Sequence, residues 1–146
     1  MSKGQVSHLE AEVNWAKDYL FIGNDDAGHT IVFDAAGRES LERGIGPMKA
    51  LLACVGACSG MDVVAILGKR KQKLTSLKVA VRGERNAFGT PKPFTAVTLK
   101  YTLVGNKLER KYVEEAVVSS VEKYCSVAAT ISGKARIDYS YEISEG

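Results

Sequence analysis

Residues 46–67 read GPMKALLACVGACSGMDVVAIL. Pro47 suits the first turn of a helix, because its missing N–H has no helical partner there. From Pro47 to about Arg70 almost every position is apolar or small, and Ala50, Ala53, Gly56, Ala57, Ser59 and Gly60 keep the helix thin. A helix that is apolar on nearly all sides requires close neighbours around it. Each interior glycine costs about 1 kcal/mol relative to alanine, which close backbone approach offsets. Lys49 and Asp62 interrupt the run. Its longest uncharged stretch, Ala50 to Met61, is 12 residues, short of the roughly 18 to 20 that cross a bilayer. The stretch reads as a buried core helix, with no membrane partner expected.

Strand patterns flank this helix. Leu9, Ala11, Val13 and Trp15 alternate with Glu10, Glu12, Asn14 and Ala16, the period-2 pattern of a half-buried strand. Tyr19–Ile22 and Thr30–Phe33 read as short strands around the turn-rich residues 23–28. Beyond the helix, Leu77, Val79 and Val81 mark one strand. Thr95, Val97, Leu99, Tyr101 and Leu103 line a longer one that turns at Gly105-Asn106. Val113, Ala116, Val117, Ser120, Val121 and Tyr124 form the buried stripe of a second helix, and a short third helix follows Cys125 to about Ser132. Ala135, Ile137, Tyr139, Tyr141 and Ile143 form a last amphipathic strand. The order β-β-β-α-β-β-α-α-β is an α+β pattern.

Composition narrows the function classes. The 146 residues fit one domain, 1–146, with no repeat or linker, and 45% hydrophobic with 25% charged residues is ordinary for a soluble protein. The N-terminal twenty residues lack the apolar core of a signal peptide. Three cysteines are too few for a disulfide scaffold, so a cytoplasmic location is the expectation. Six basic and no acidic side chains lie in residues 69–82. Without interleaved aromatics they read as cations complementing a helix C-terminus, and no nucleic-acid partner is expected.

Cys54 and Cys58 lie four apart, hence on one helix face, and Cys125 ends the second helix. With two histidines in the chain and no Cys-x-x-Cys, no metal site is expected. Two readings of the thiols stand side by side: small buried fillers, or a redox pair in which a sulfenic acid on one thiol condenses with the other. Cys54 and Cys58 are poorly placed to bridge along one helix, so either of them paired with Cys125 fits better.

Three stretches together resemble the OsmC/Ohr family of thiol-dependent peroxidases: residues 46–58, Met61–Leu67, and Glu122–Ala128. Phe94–Val97 and Tyr139–Ile143 are also similar to the family, and the likeness covers the chain from about His8 to Ile143. It implies an OsmC-like intertwined homodimer, with curved sheets wrapped around long central helices. It implies reduction of organic hydroperoxides and/or hydrogen peroxide without a cofactor. Cys58, eleven residues after Pro47, falls at the position of the attacking thiol and Cys125 at that of the resolving one. A small dithiol or a dithiol protein would restore both. Cys54 takes no role and reads as a filler.

The sequence also departs from that pattern. Met48 stands where many members carry a glutamate, and Trp15–Tyr19 lacks the usual arginine. Arg38 or Arg43, in the loop before the helix, would then supply the cation that favours a thiolate. Ser126 follows Cys125 where many members have proline. A peroxide pocket lined by Met48, Met61, Phe21 or Tyr124 would favour organic substrates. The alternative from another class is a non-catalytic dimeric stress or small-ligand-binding protein of the same fold, which the missing glutamate and arginine favour.

Overall fold

The computed structural model describes residues 4–37 and 40–146, and the chain divides into two compact units, Met1–Ala50 and Leu51–Gly146. In the first, β1 (Ala11–Lys17), β2 (Leu20–Asp25) and β3 (Thr30–Phe33) form an antiparallel sheet in that order. Asp25 closes the β2–β3 turn, its carboxylate accepting the N–H groups of Ala27 at 3.0 Å and His29 at 2.8 Å. β1 forms where the alternation predicts it, but the expected half-burial does not: Val13 is 59% and Trp15 67% exposed. Period-2 alternation fixes which side chains share a face. Whether that face is buried depends on a second layer, and among the described residues none covers β1.

Helix α1 (Pro47–Lys69) starts at the expected proline, with the Ala50 N–H bonded to the Gly46 carbonyl. It ends in a Schellman motif, with Gln72 N–H on the Leu67 carbonyl, Lys71 N–H on that of Gly68, and Lys71 at φ 56°. In the second unit β4 (Lys73–Arg85), β5 (Phe94–Asn106) and β6 (Arg136–Glu145) form a sheet in the order β4-β5-β6, with β4–β5 antiparallel and β5–β6 parallel. Between β5 and β6 come α2 (Arg110–Ser119), a π turn (Ser120–Tyr124) and α3 (Ser126–Ser132). The observed order is the α+β order read from sequence, with the π turn added.

Gly56 makes the close approach expected of the α1 glycines, while Gly60 has room for a methyl group and Gly68 meets nothing within 4 Å. A Cβ on Gly56 would come to 2.9 Å from Val81 Cγ2, and one on Gly60 to 3.6 Å from Val79 Cγ2. Val55, Ser59, Val63 and Leu67 are buried on that side, and Val97, Leu99, Tyr101 and Leu103 of β5 are fully buried. Arg70 anchors the helix end to α2 through a two-pronged bond to Glu115 (3.0 and 2.6 Å), its guanidinium over the Tyr112 ring. The basic run thus starts as part of a helix terminus.

Three details correct the sequence reading. First, α1 is largely uncovered within one chain, against the buried core helix read from its pattern, though the family likeness implies cover by a second copy. Its most apolar 18-residue window is 33% buried, with mean hydropathy 2.1, so by length and composition it meets the requirement for a membrane span. The uncharged-run criterion stops at Asp62, although the helix stays apolar beyond it. Leu51, Cys54, Met61 and Val64 lie on its open face. Second, Thr95 leaves the buried face because β5 bulges there: Phe94 pairs with Arg85 and Ala96 with Glu84, and the Thr95 hydroxyl donates to the Glu84 carbonyl. Third, Gly105 is no turn. It pairs with both Leu74 and Glu145 inside the sheet, and a Cβ there would collide with the Lys73 carbonyl oxygen. Gly105→Ala therefore destabilises the fold by about 1–3 kcal/mol, read as a lower urea midpoint with unchanged m-value.

Candidate active site

Cys58 sits mid-way along α1 and is half-buried; Cys125 lies between the π turn and α3 and is 2% exposed. All three thiols are free, and Cys58 lies close enough to Cys125 to act on its thiol. Cys54, one turn earlier on α1, is exposed, so it is not the interior filler expected from sequence. Free cysteine fills space only where the helix face is covered.

Local structure explains how Cys125 arrives there. A regular helix would carry the α2 stripe of Val113, Ala116, Val117 and Ser120 on through Val121 and Tyr124. Instead the Cys125 N–H reaches back five residues to the Ser120 carbonyl at 2.8 Å, closing a π turn. The wider turn rotates the chain at its end, so Tyr124 is half-exposed and Cys125 turns inward. Cys125 then caps α3, its Sγ accepting the Ala128 N–H at 3.4 Å. Burial pushes its thiol up to about 11; the Ala128 N–H works against this, while Cys58 and Asp62 add to it.

Three hydroxyl groups, on α1, the π turn and β5, form a hydrogen-bonded set. Ser59 and Ser120 are fully buried with their Oγ atoms 2.7 Å apart, Tyr101 bonds Ser59, and Ser120 Oγ lies 2.9 Å from Asp62 Oδ2. Burial, only partly countered by the Ser59 bond, raises the Tyr101 hydroxyl above its ordinary value. Asp62 and Tyr124 also line a solvent-open hollow of about 600 Å³ between α1 and α2, with Ile66, Lys69, Arg70 and Ser119.

The remaining candidates fall elsewhere. Arg38 lies outside the described residues. Arg43 is committed to Asp34 in the first unit, its Nε 2.9 Å from an Asp34 oxygen. The Ser40 hydroxyl, with Arg43 and the Ala35 N–H, holds the enclosed Asp34 carboxyl well below the usual range. Three of the four residues expected around a peroxide line separate hollows. Phe21 belongs to an apolar one with Val13, Tyr19 and Phe33, Met61 to one with Gly60 and Val64, and Tyr124 to the hollow beside Asp62.

The OsmC-like protein family model matches residues 38–140. The chain belongs to the OsmC-like family. Protein YhfA of Escherichia coli strain K12 is 35% identical over 135 residues, covering 92% of this chain and 98% of that one. A solved hypothetical protein from Aquifex aeolicus VF5 superposes with TM-score 0.85 at 31% identity, covering 97% and 99% of the two chains. An organic hydroperoxide resistance protein from Elizabethkingia anophelis shares the fold, with TM-score 0.69 at 13% identity over 96% and 99%.

In this OsmC-like chain the hydroxyl set and the π turn escape sequence reasoning, although a signal existed. Ser59, Ser120 and Tyr101 occupy positions patterned for burial, and a buried hydroxyl requires a partner. The raised Cys125 value carries a pH signature. The folded state holds the proton to higher pH than the unfolded chain, so the stabilising contribution is whole below the ordinary 9.0 and is lost as pH rises through about 11. Urea midpoints measured from pH 8 to 11 decline, and Cys125→Ala makes that decline shallower. Tyr101 contributes a slope of the same sign in both proteins.

Proposed function

We propose that this protein is a dimeric cysteine peroxidase acting on organic hydroperoxides and hydrogen peroxide in a reducing, cytoplasmic compartment. The observation that carries the reading is the meeting of Cys58 and Cys125 from two separate elements, one half-buried and the other buried. The Cys58 thiolate attacks the terminal peroxide oxygen, the O–O bond breaks, and the alcohol or water leaves with a proton, giving a sulfenic acid. Cys125 sulfur then attacks Cys58 sulfur. The sulfenic hydroxyl departs as water with the Cys125 proton, leaving a disulfide. An external dithiol restores both thiols by exchange through a mixed disulfide.

The environments of the thiols support this division of labour. A thiol pushed up to about 11 exposes almost no thiolate at neutral pH, so Cys125 does not compete for peroxide and waits for the sulfenic acid. Of the two arginines named from the sequence as the cation that favours a Cys58 thiolate, Arg43 is engaged by Asp34, which leaves Arg38 as the candidate. Peroxide consumption with a dithiol is expected in the native protein, absent in Cys58→Ser, reduced at least about tenfold in Cys125→Ser, and slowed about tenfold in Arg38→Ala. Full activity in Cys58→Ser overturns the assignment. Met48, in place of a carboxylate near the helix start, favours a second reading, a non-catalytic stress or ligand-binding protein. Neither thiol reacting with peroxide over hours selects it.

The open face of α1 supports the dimer. Leu51, Met61 and Val64 are exposed on a helix of high hydropathy, beside an apolar hollow of about 600 Å³ lined by Gly60, Met61, Leu77 and Val79. A contiguous apolar face of this kind calls for a cover, and a second copy presenting the same face supplies it with two-fold symmetry. Light scattering at micromolar concentration is expected to give twice the chain mass, and Val64→Lys to shift it toward one chain. A well-folded native monomer at that concentration removes the intertwined architecture.

A further inference from the structure

The proposed cycle uses two sulfurs, yet the polar groups beside them form a chain of their own. A carboxylate only accepts hydrogen bonds, so Ser120 Oγ donates to Asp62 Oδ2 at 2.9 Å. Ser120 has one hydroxyl proton, so the Ser59 hydroxyl donates to Ser120 at 2.7 Å, and Tyr101 donates to Ser59. The three hydroxyls thereby run in a single direction, ending on Asp62 and, from the same Ser120 hydroxyl at 3.3 Å, on the Ser59 carbonyl. Ser59 is the residue after Cys58 on α1. Ser120 is the residue whose backbone carbonyl receives the Cys125 N–H at 2.8 Å. Ser120 therefore grips both sides, the Cys58 side by its hydroxyl and the Cys125 side by its backbone.

This arrangement is not the cheapest way to fill the space. Replacing both members of a buried hydrogen-bonded pair by apolar groups of similar shape is often neutral or stabilising. Alanines at 59 and 120, with phenylalanine at 101, would suit an interior that already uses alanine at 50, 53, 57 and 116. The chain instead buries two serines completely, and the π turn opens on one of them. Both features fall where the thiols meet.

We propose that Ser120, held by Ser59 and Asp62, is the positioning residue of the thiol pair. It fixes the direction and separation of Cys125 from Cys58 and so sets how readily the two sulfurs join. The inference rests on the reading of Cys58 and Cys125 as a redox pair. Pre-positioning acts as an effective concentration of one thiol at the other, which an exchange equilibrium measures without peroxide. In that exchange the two protein thiols and oxidised dithiothreitol give the Cys58–Cys125 disulfide and reduced dithiothreitol, which takes up both protons.

The test equilibrates the full-length native protein, Ser120→Ala and Ser120→Thr with graded ratios of reduced and oxidised dithiothreitol. Acid quenching, alkylation and peptide masses then identify the bridge. Ser120→Ala is expected to lower the equilibrium constant for the disulfide at least about tenfold, about 30 mV for this two-electron couple. Ser120→Thr, which keeps the hydroxyl, is expected to stay within about threefold of the native value. A serine that only supports packing would change the urea midpoint and leave this constant unmoved. Should Ser120→Ala not fold, Ser59→Ala is expected to lower the constant in the same direction. Equal constants in the native protein and the alanine variants overturn the positioning role and leave the peroxidase reading standing. A native pair that closes with dithiothreitol but consumes no peroxide removes the peroxidase reading and leaves the positioning role. A native protein that forms no Cys58–Cys125 bridge at any ratio overturns both.

Discussion

The constraint behind the second unit is the close packing of a thin, glycine-bearing helix on a strand. Gly56 lets α1 approach Val81 so nearly that a methyl group on it would displace that side chain, with Gly60 next to Val79 one turn on. That approach buries Val55, Ser59, Val63 and Leu67 against the sheet side and fixes the rotation of the helix about its axis. Once the rotation is fixed, Cys58 and Ser59 point toward the elements that come after β5, while Cys54 and Met61 are left outside. A wider residue at 56 would press on Val81, lift the helix and loosen the relation between the two thiols.

On the other side the thiol pair depends on a local departure from regular helix. A continuous α2 would carry Tyr124 inward, and the π turn at Ser120–Tyr124 substitutes Cys125. The result is a pair of unlike thiols. Cys125 is enclosed, capped by the Ala128 N–H and held protonated by burial, while Cys58 retains access to solvent. Such asymmetry is what a two-step thiol cycle needs, because one sulfur must meet the peroxide while its partner stays unreacted.

Much of the fold was legible from the residues. Helical and strand periods located all nine expected elements, since those periods follow from backbone geometry alone. What they could not convey was what covers each apolar face. Trp15 and Val13 alternate like buried residues and lie open, and α1 is apolar all round but mostly uncovered within one chain. At Gly105 the pattern is ambiguous because close approach and turning both select glycine, and here the Lys73 carbonyl makes the demand. The site was less legible. Residue spacing left both Cys54 and Cys58 open as partners of Cys125, and the family likeness chose Cys58. The hydrogen bonds of Ser59, Ser120 and Asp62 join residues about sixty positions apart, a separation no local pattern encodes.

The proposed chemistry turns on one bond, a disulfide between Cys58 and Cys125. Peptide mass mapping after a single equivalent of an organic hydroperoxide, with thiols trapped at low pH, tests it most directly. The expected product is one intrachain disulfide joining the peptides of Cys58 and Cys125, with Cys54 alkylated as a free thiol. A product in which Cys54 carries the bridge, or in which Cys58 and Cys125 remain free while peroxide disappears, contradicts it.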